Sequence, residues 1–181
     1  AEALAAQEPG RAHPALERAL NDADALRRAA AAEALGKLGG EPAALALRKR
    51  IADPDARVRE AVAAALGQIA DPTTAESLLP LIEDANPQVV RAAARALGQV
   101  GNTLAACPLA AALVQPGQDL LVRRALAAAL VRIPHPDAQQ PLLQALRDPD
   151  PQVRAYAAAA LGQVGNEDAH APLQALTADK S

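Results

Sequence analysis

Two series of leucines run through the chain at one shared spacing. Leu4, Leu35, Leu66, Leu97, Leu130 and Leu161 stand 31, 31, 31, 33 and 31 residues apart, and each is followed 12 residues later by another: Leu16, Leu47, Leu78, Leu109, Leu142 and Leu173. A fixed period of this size is the mark of a repeat architecture. The stretches 22–36, 53–67, 84–98 and 148–162 align without gaps, each from an Asp to a Gly, and 117–131 fits after two inserted residues. Each period divides into two helical stretches. The first opens at an Asp able to accept bonds from the free N–H groups of a helix start, often with Pro in the first turn. It runs through an Ala-rich segment to Leu and ends near Gly39, Gly101 or Gly165, where Asn102 and Asn166 suit a turn. The second stretch, such as 73–83 or 137–147, sets apolar residues at helical spacing, for example Leu142, Leu143 and Leu146. Pro108, Pro141 and Pro172 hold one shared place in it, and the missing N–H and ring clash predict a kink there.

A helix pair of this length cannot bury both its faces, so the pairs must stack into a continuous core. The predicted fold is all-α, a right-handed α-solenoid. Its parts are a part-repeat at 1–20 and repeats at 21–52, 53–83, 84–114, 115–147 and 148–178. Composition agrees. The 181 residues include 50 alanines, one Tyr, and no Trp, Phe or Met. Ala and Leu favour helices, and the scarcity of aromatic residues argues against a sandwich or barrel. Gly36, Gly67, Gly98 and Gly162, with Ala61, Ala92 and Ala155, fall at equivalent places and predict close approach of neighbouring helices. Residues 1–4 match residues 32–35 in the middle of a first helix, so the reading expects a piece of a longer solenoid or multidomain protein.

The pattern D-P-D-x-x-V-R-x-x-A-A-x-A-L-G-x-x-G, followed by A-x-x-P-L-x-x-A-L, resembles the HEAT-like repeat of the E/F-type phycobilin lyase class across essentially the whole chain. The resemblance implies that the first helix of each pair lines a concave surface. It is compatible with three roles: a protein-binding scaffold, a bilin lyase or lyase subunit holding a tetrapyrrole's propionates on arginines, or a docking or regulatory arm of a larger enzyme. Fold alone does not choose between them.

The search for chemistry returns little. One cysteine excludes a disulfide framework and a cysteine-based zinc site, and the phosphate-binding glycine motifs are missing from the sequence. His13, His135 and His170 show no metal-ligand spacing, so no metal is assigned; His13 and His170 are expected to open helices. Cys107 sits where other copies have Leu45, Glu76, Gln140 and Ala171, which predicts a half-buried packing residue rather than a nucleophile or bilin contact. Arg28, Arg59, Arg123 and Arg154 recur with the period, as do Asp22, Asp53, Asp84 and Asp148, which predicts a structural ladder of arginines reaching aspartates or carbonyls. The third copy has Val90 in the arginine's place, so its rung is expected to be broken or shifted.

The positions that vary between copies on the first helices carry Lys37, Arg57, Arg91, Arg95, Arg124 and Arg132 against Glu33 and Glu60, a surplus of four positive charges on a chain of net charge −3. That asymmetry predicts a basic groove binding an acidic protein segment, with Arg91, Arg95 and Arg124 as charge contacts and Tyr156 as an aromatic anchor. One Tyr is poor provision for stacking bases, and the overall charge is not basic, so nucleic acid is not the expected partner. No apolar run spans a bilayer and no leader segment opens the chain, which points to a cytoplasmic protein without membrane insertion. The expectation is a scaffold without catalysis of its own and with no cofactor, a bilin being the alternative.

Overall fold

The computed structural model describes residues 9–164. Leu4, Gly165, Asn166, His170, Pro172 and Leu173 lie outside the described residues, as do the outer portions of the first and last repeats. Helix α1 (Pro9–Ala19) leads. Five long helices follow, one per repeat: α2 (Ala25–Leu38), α4 (Ala56–Ile69), α6 (Pro87–Val100), α8 (Leu120–Arg132) and α10 (Pro151–Val164). The short helices α3 (Gly40–Arg48), α5 (Ala75–Leu78), α7 (Ala106–Leu113) and α9 (Gln139–Ala145) alternate with them. Successive long helices pack directly on one another, and the short ones form a second row against them. This is the expected α-solenoid. Among the described residues there is no strand.

The starts of the long helices differ from expectation by two residues. The caps are Asp24, Asp55, Asn86 and Asp119, whose side chains accept from the N–H of Leu26, Arg57, Gln88 and Leu121 at 2.8–2.9 Å. The recurring Asp22, Asp53, Asp84 and Asp148 instead bind the N–H two residues on, at 2.8–3.0 Å, and turn their remaining acceptor capacity to an arginine. At the other end Gly39 and Gly101 have φ +72° and +71°, as the glycine pattern implied, but the second repeat puts Ala70 in the left-handed region at φ +53°.

The prolines also sit differently from expectation. Pro108 and Pro141 are the third residues of α7 and α9, in a first turn whose N–H groups helical pairing leaves free, and each helix is preceded by a 3-10 turn (Thr103–Ala105, Pro136–Ala138). The helix expected at 73–83 is a succession of pieces: a 3-10 turn at Pro72–Thr74, then α5, then a 3-10 stretch at Leu79–Glu83 that holds Pro80. Pro80 has no N–H to give an α-helical bond, and the chain tightens around it. Pro14, inside α1, is a proline that does sit within a helix.

Both leucine series are buried: Leu35, Leu66, Leu97, Leu130 and Leu161 in the long helices, and Leu47, Leu78, Leu109 and Leu142 in the short row. Close approach occurs at three of the four glycines expected to show it, and not at Gly162, around which a Cβ would meet nothing within 4 Å. A Cβ on Gly36 would lie 2.8 Å from the Ala65 Cα, on Gly67 2.7 Å from the Ala96 Cα, and on Gly98 3.2 Å from the Ala129 Cα. Ala61 and Ala92 are buried, but Ala155, on α10, is exposed.

Arginine rungs cross the α2–α4, α4–α6 and α8–α10 junctions. Arg28 grips Asp53 at 2.9 and 2.8 Å, Arg59 grips Asp84 at 2.6 and 2.9 Å, and Arg123 grips Asp148 at 2.8 and 3.3 Å. Their other amino groups bond carbonyls at the start of the same helix, as does Arg154 to Asp148 and Pro149. The α6–α8 junction has no such rung. Val90 is buried in the arginine's place, and Gly117, with φ +78°, stands two residues before the cap where the other copies have Asp.

Candidate partner-binding face

The side chains singled out as partner contacts fall on the solvent side of the long helices, held there by the buried leucines and alanines on the opposite side. They are not equivalent. Arg57 is exposed but folds back on its own cap, donating to Asp55 at 3.0 and 2.7 Å; these bonds hold the Asp55 carboxyl down at about 2. Arg124, half-buried, reaches to Asp150 at 3.0 and 2.6 Å, and the pairing likewise lowers Asp150 to about 2. Arg132 donates to the Gly98 carbonyl at 3.0 Å. Lys37 is exposed in the last turn of α2, and Tyr156 is half-buried against the core. Arg91 donates to Gln88 at 2.7 Å, and Arg95 is exposed.

The caps change the charge count. Asp24, Asp55, Asp119 and Asp150 stand at the starts of these same helices, and with Glu33 and Glu60 they match the six basic side chains in number. The surplus counted from the variable positions alone does not survive as a continuous basic strip. What remains is local. Helix α6 is capped by neutral Asn86, and neither Arg91 nor Arg95 pairs with a carboxylate among the described residues. Positive charge is therefore concentrated at the middle of the row. The structure also exposes leucines to which sequence reasoning gave no role: Leu26 (59%) and Leu121 (46%) occupy the place held by Arg57, Gln88 and Gln152 in other copies. Their signal was there, an apolar residue at a position otherwise polar.

Away from this face, an open cleft of about 930 Å³ lies between the 114–118 loop, where the insertion falls, and α9. His13 lies within α1 rather than at a helix start, 3.8 Å from Glu17. Cys107, expected half-buried, is exposed on α7, and the fold brings His135 and Asp137 of the next repeat beside it.

The HEAT-repeat family matches residues 44–130 and 108–181. The chain is a HEAT-repeat protein. The PBS lyase HEAT-like repeat matches residues 27–53 as well. Among solved structures, this HEAT-repeat chain is similar to the complex of CpcE and CpcF of phycocyanin lyase from Nostoc sp. PCC7120, at 30% identity and TM-score 0.61 over 93% of this chain and 70% of that one. An engineered protein (22% identity, TM-score 0.71, 93% and 90% covered) and a designed armadillo repeat protein in complex with the peptide (KR)4 (20%, 0.67, 91% and 87%) share the fold. No curated protein matches the sequence. No helix among the described residues is long and apolar enough to cross a membrane.

Proposed function

We propose that this HEAT-like solenoid is a non-catalytic protein-binding scaffold whose long-helix face takes an acidic protein segment across α6. The observation that carries the reading is the pair Arg91 and Arg95, cationic side chains with no carboxylate partner among the described residues, in a row where Arg57 and Arg124 are already neutralised at home. A carboxylate arriving at α6 gains a partner without breaking an internal pair, whereas one arriving at Arg124 must displace Asp150. Exposed Leu121 on the neighbouring helix adds apolar area beside the charges, and Tyr156 lies on the helix beyond it. The likeness to CpcE and CpcF, two chains solved as a complex, supports association with another protein.

The test is capture of a partner by the unaltered chain and by two charge-reversed variants with intact helical circular dichroism. Arg91→Glu with Arg95→Glu should abolish capture, and Arg57→Glu should leave it within about threefold. Equal loss in both, or loss in neither, removes the α6 site. A second reading, a bilin lyase or lyase subunit, rests on that same likeness to the phycocyanin lyase complex. It requires an absorbance change on mixing with a bilin and covalent transfer to an acceptor cysteine.

A further inference from the structure

Cys107, His135 and Asp137 come from different repeats, yet their thiol, an imidazole nitrogen and a carboxylate oxygen all lie within 4.8 Å of one another. Cys107 is the second residue of α7, and His135 and Asp137 belong to the turn between α8 and α9, which packs on α7. His135 stands where the other repeats put Asp71 or Asn102 as the cap of the second-row helix, and it does the cap's work: its Nδ1 accepts from the Asp137 N–H at 3.3 Å. An accepting Nδ1 carries no proton but has only one lone pair, so an ion bound there takes that lone pair over from the long 3.3 Å capping bond and leaves the Asp137 N–H to water. That nitrogen is 3.7 Å from Asp137 Oδ2, close to the ~3.3 Å edge of a tetrahedron with metal–N and metal–O bonds of ~2 Å.

We propose that Cys107, His135 and Asp137 form a binding site for a divalent cation of the zinc type, joining the third and fourth helix pairs. Sulfur, nitrogen and oxygen donors together suit a borderline-soft ion and not calcium or magnesium, which take oxygen alone. The thiol loses its proton to solvent on binding, so thiolate and carboxylate balance the dication, and the fourth position is left to water. A zinc site counted by cysteines was excluded from the sequence; a mixed site needs only one. The junction it spans is the one without an arginine rung, and there Gly98 stands farther from its neighbour than Gly36 or Gly67 do. The ion would act as a clamp at that seam.

The experiment is a titration of the metal-free, reduced chain with Co2+, read by sulfur-to-cobalt charge-transfer absorbance and reversed by Zn2+. Saturation at one ion per chain is expected, with loss of the band in Cys107→Ser and at least about tenfold weaker binding in His135→Asn and in Asp137→Asn. All three substitutions spare the fold: Cys107 and Asp137 are exposed, and Asn is itself a preferred cap, so circular dichroism should be unchanged. A chain that leaves Co2+ with only its aqueous spectrum overturns the site. So does a band that survives His135→Asn and Asp137→Asn at full affinity, which would mean a bare thiol and no cage.

Discussion

A single methyl group decides the chemistry of the helix ends and of the helix contacts. Ala70 holds the left-handed conformation that Gly39 and Gly101 adopt at no steric cost in other copies. Ala70→Gly should therefore raise stability by about 1 kcal/mol, seen as a higher urea midpoint at unchanged slope. The converse holds inside the row. On Gly67 a Cβ would press on the Ala96 backbone at 2.7 Å, and backbone cannot swing aside, so Gly67→Ala should lower stability by about 1–3 kcal/mol despite its better helix propensity. Gly98→Ala, with 3.2 Å of room, should cost less in the same assay. Both kinds of glycine were readable in the chain, because each recurs at its own place in the period. Ala70 was not, since nothing in an alanine announces a positive φ.

At the level of helices, the sequence carried the order of the long and short elements and the burial of their leucines, but not the break-up of 73–83 around Pro80, and it misassigned the starts of the long helices in one systematic way. Asp53 and Asp84 look like caps because they precede helices, but a cap two residues on, Asp55 or Asn86, is equally polar, and only geometry separates the roles. The earlier aspartate is the receiving half of a rung. Arg59 and Asp84 are 18% and 8% exposed, so their attraction is poorly screened. A double-mutant cycle with Arg59→Gln and Asp84→Asn should give a coupling energy of about 1–3 kcal/mol in equilibrium unfolding. The same cycle on Arg57 and Asp55, where the arginine is 60% exposed, should give a clearly smaller one. Equal couplings would mean that the rungs are surface decoration.

For the molecule as a whole, the pairs make an acid-sensitive array. Asp55 and Asp150 titrate at about 2, against an unperturbed 3.8, because arginines bind their charged forms; Asp22 and Asp84 are lowered by hydrogen bonds from a backbone N–H and an arginine. Burial raises Asp53, but Arg28 and the Asp55 N–H outweigh it, leaving it lowered too. A carboxyl lowered by folding contributes stability that is complete above its unfolded value and is lost as pH falls through the folded one. The unfolding midpoint should thus hold steady down to pH ~4 and drop between pH ~4 and ~2. The repeat and its family were legible in the chain at this scale, whereas the charge balance of the long-helix face was not. The variable positions were counted without the caps, and ion pairing between neighbouring helices, such as Arg124 with Asp150, leaves no trace in a linear count.

The rung has one more consequence. The copies that begin at Asp22 and Asp53 each offer an arginine forward to the aspartate that opens the next copy, 25 positions on in the chain, so the copy at Asp84 can follow either of them. Excising residues 53–83 as a block would deliver Arg28 to Asp84 and Gly36 to Ala96, with every junction remade from parts already matched. On that side of the molecule, length is interchangeable by whole units. Across the α6–α8 seam it is not: Val90, Gly117 and two extra residues make a join that fits only there, and a duplication carrying it would carry its missing rung along.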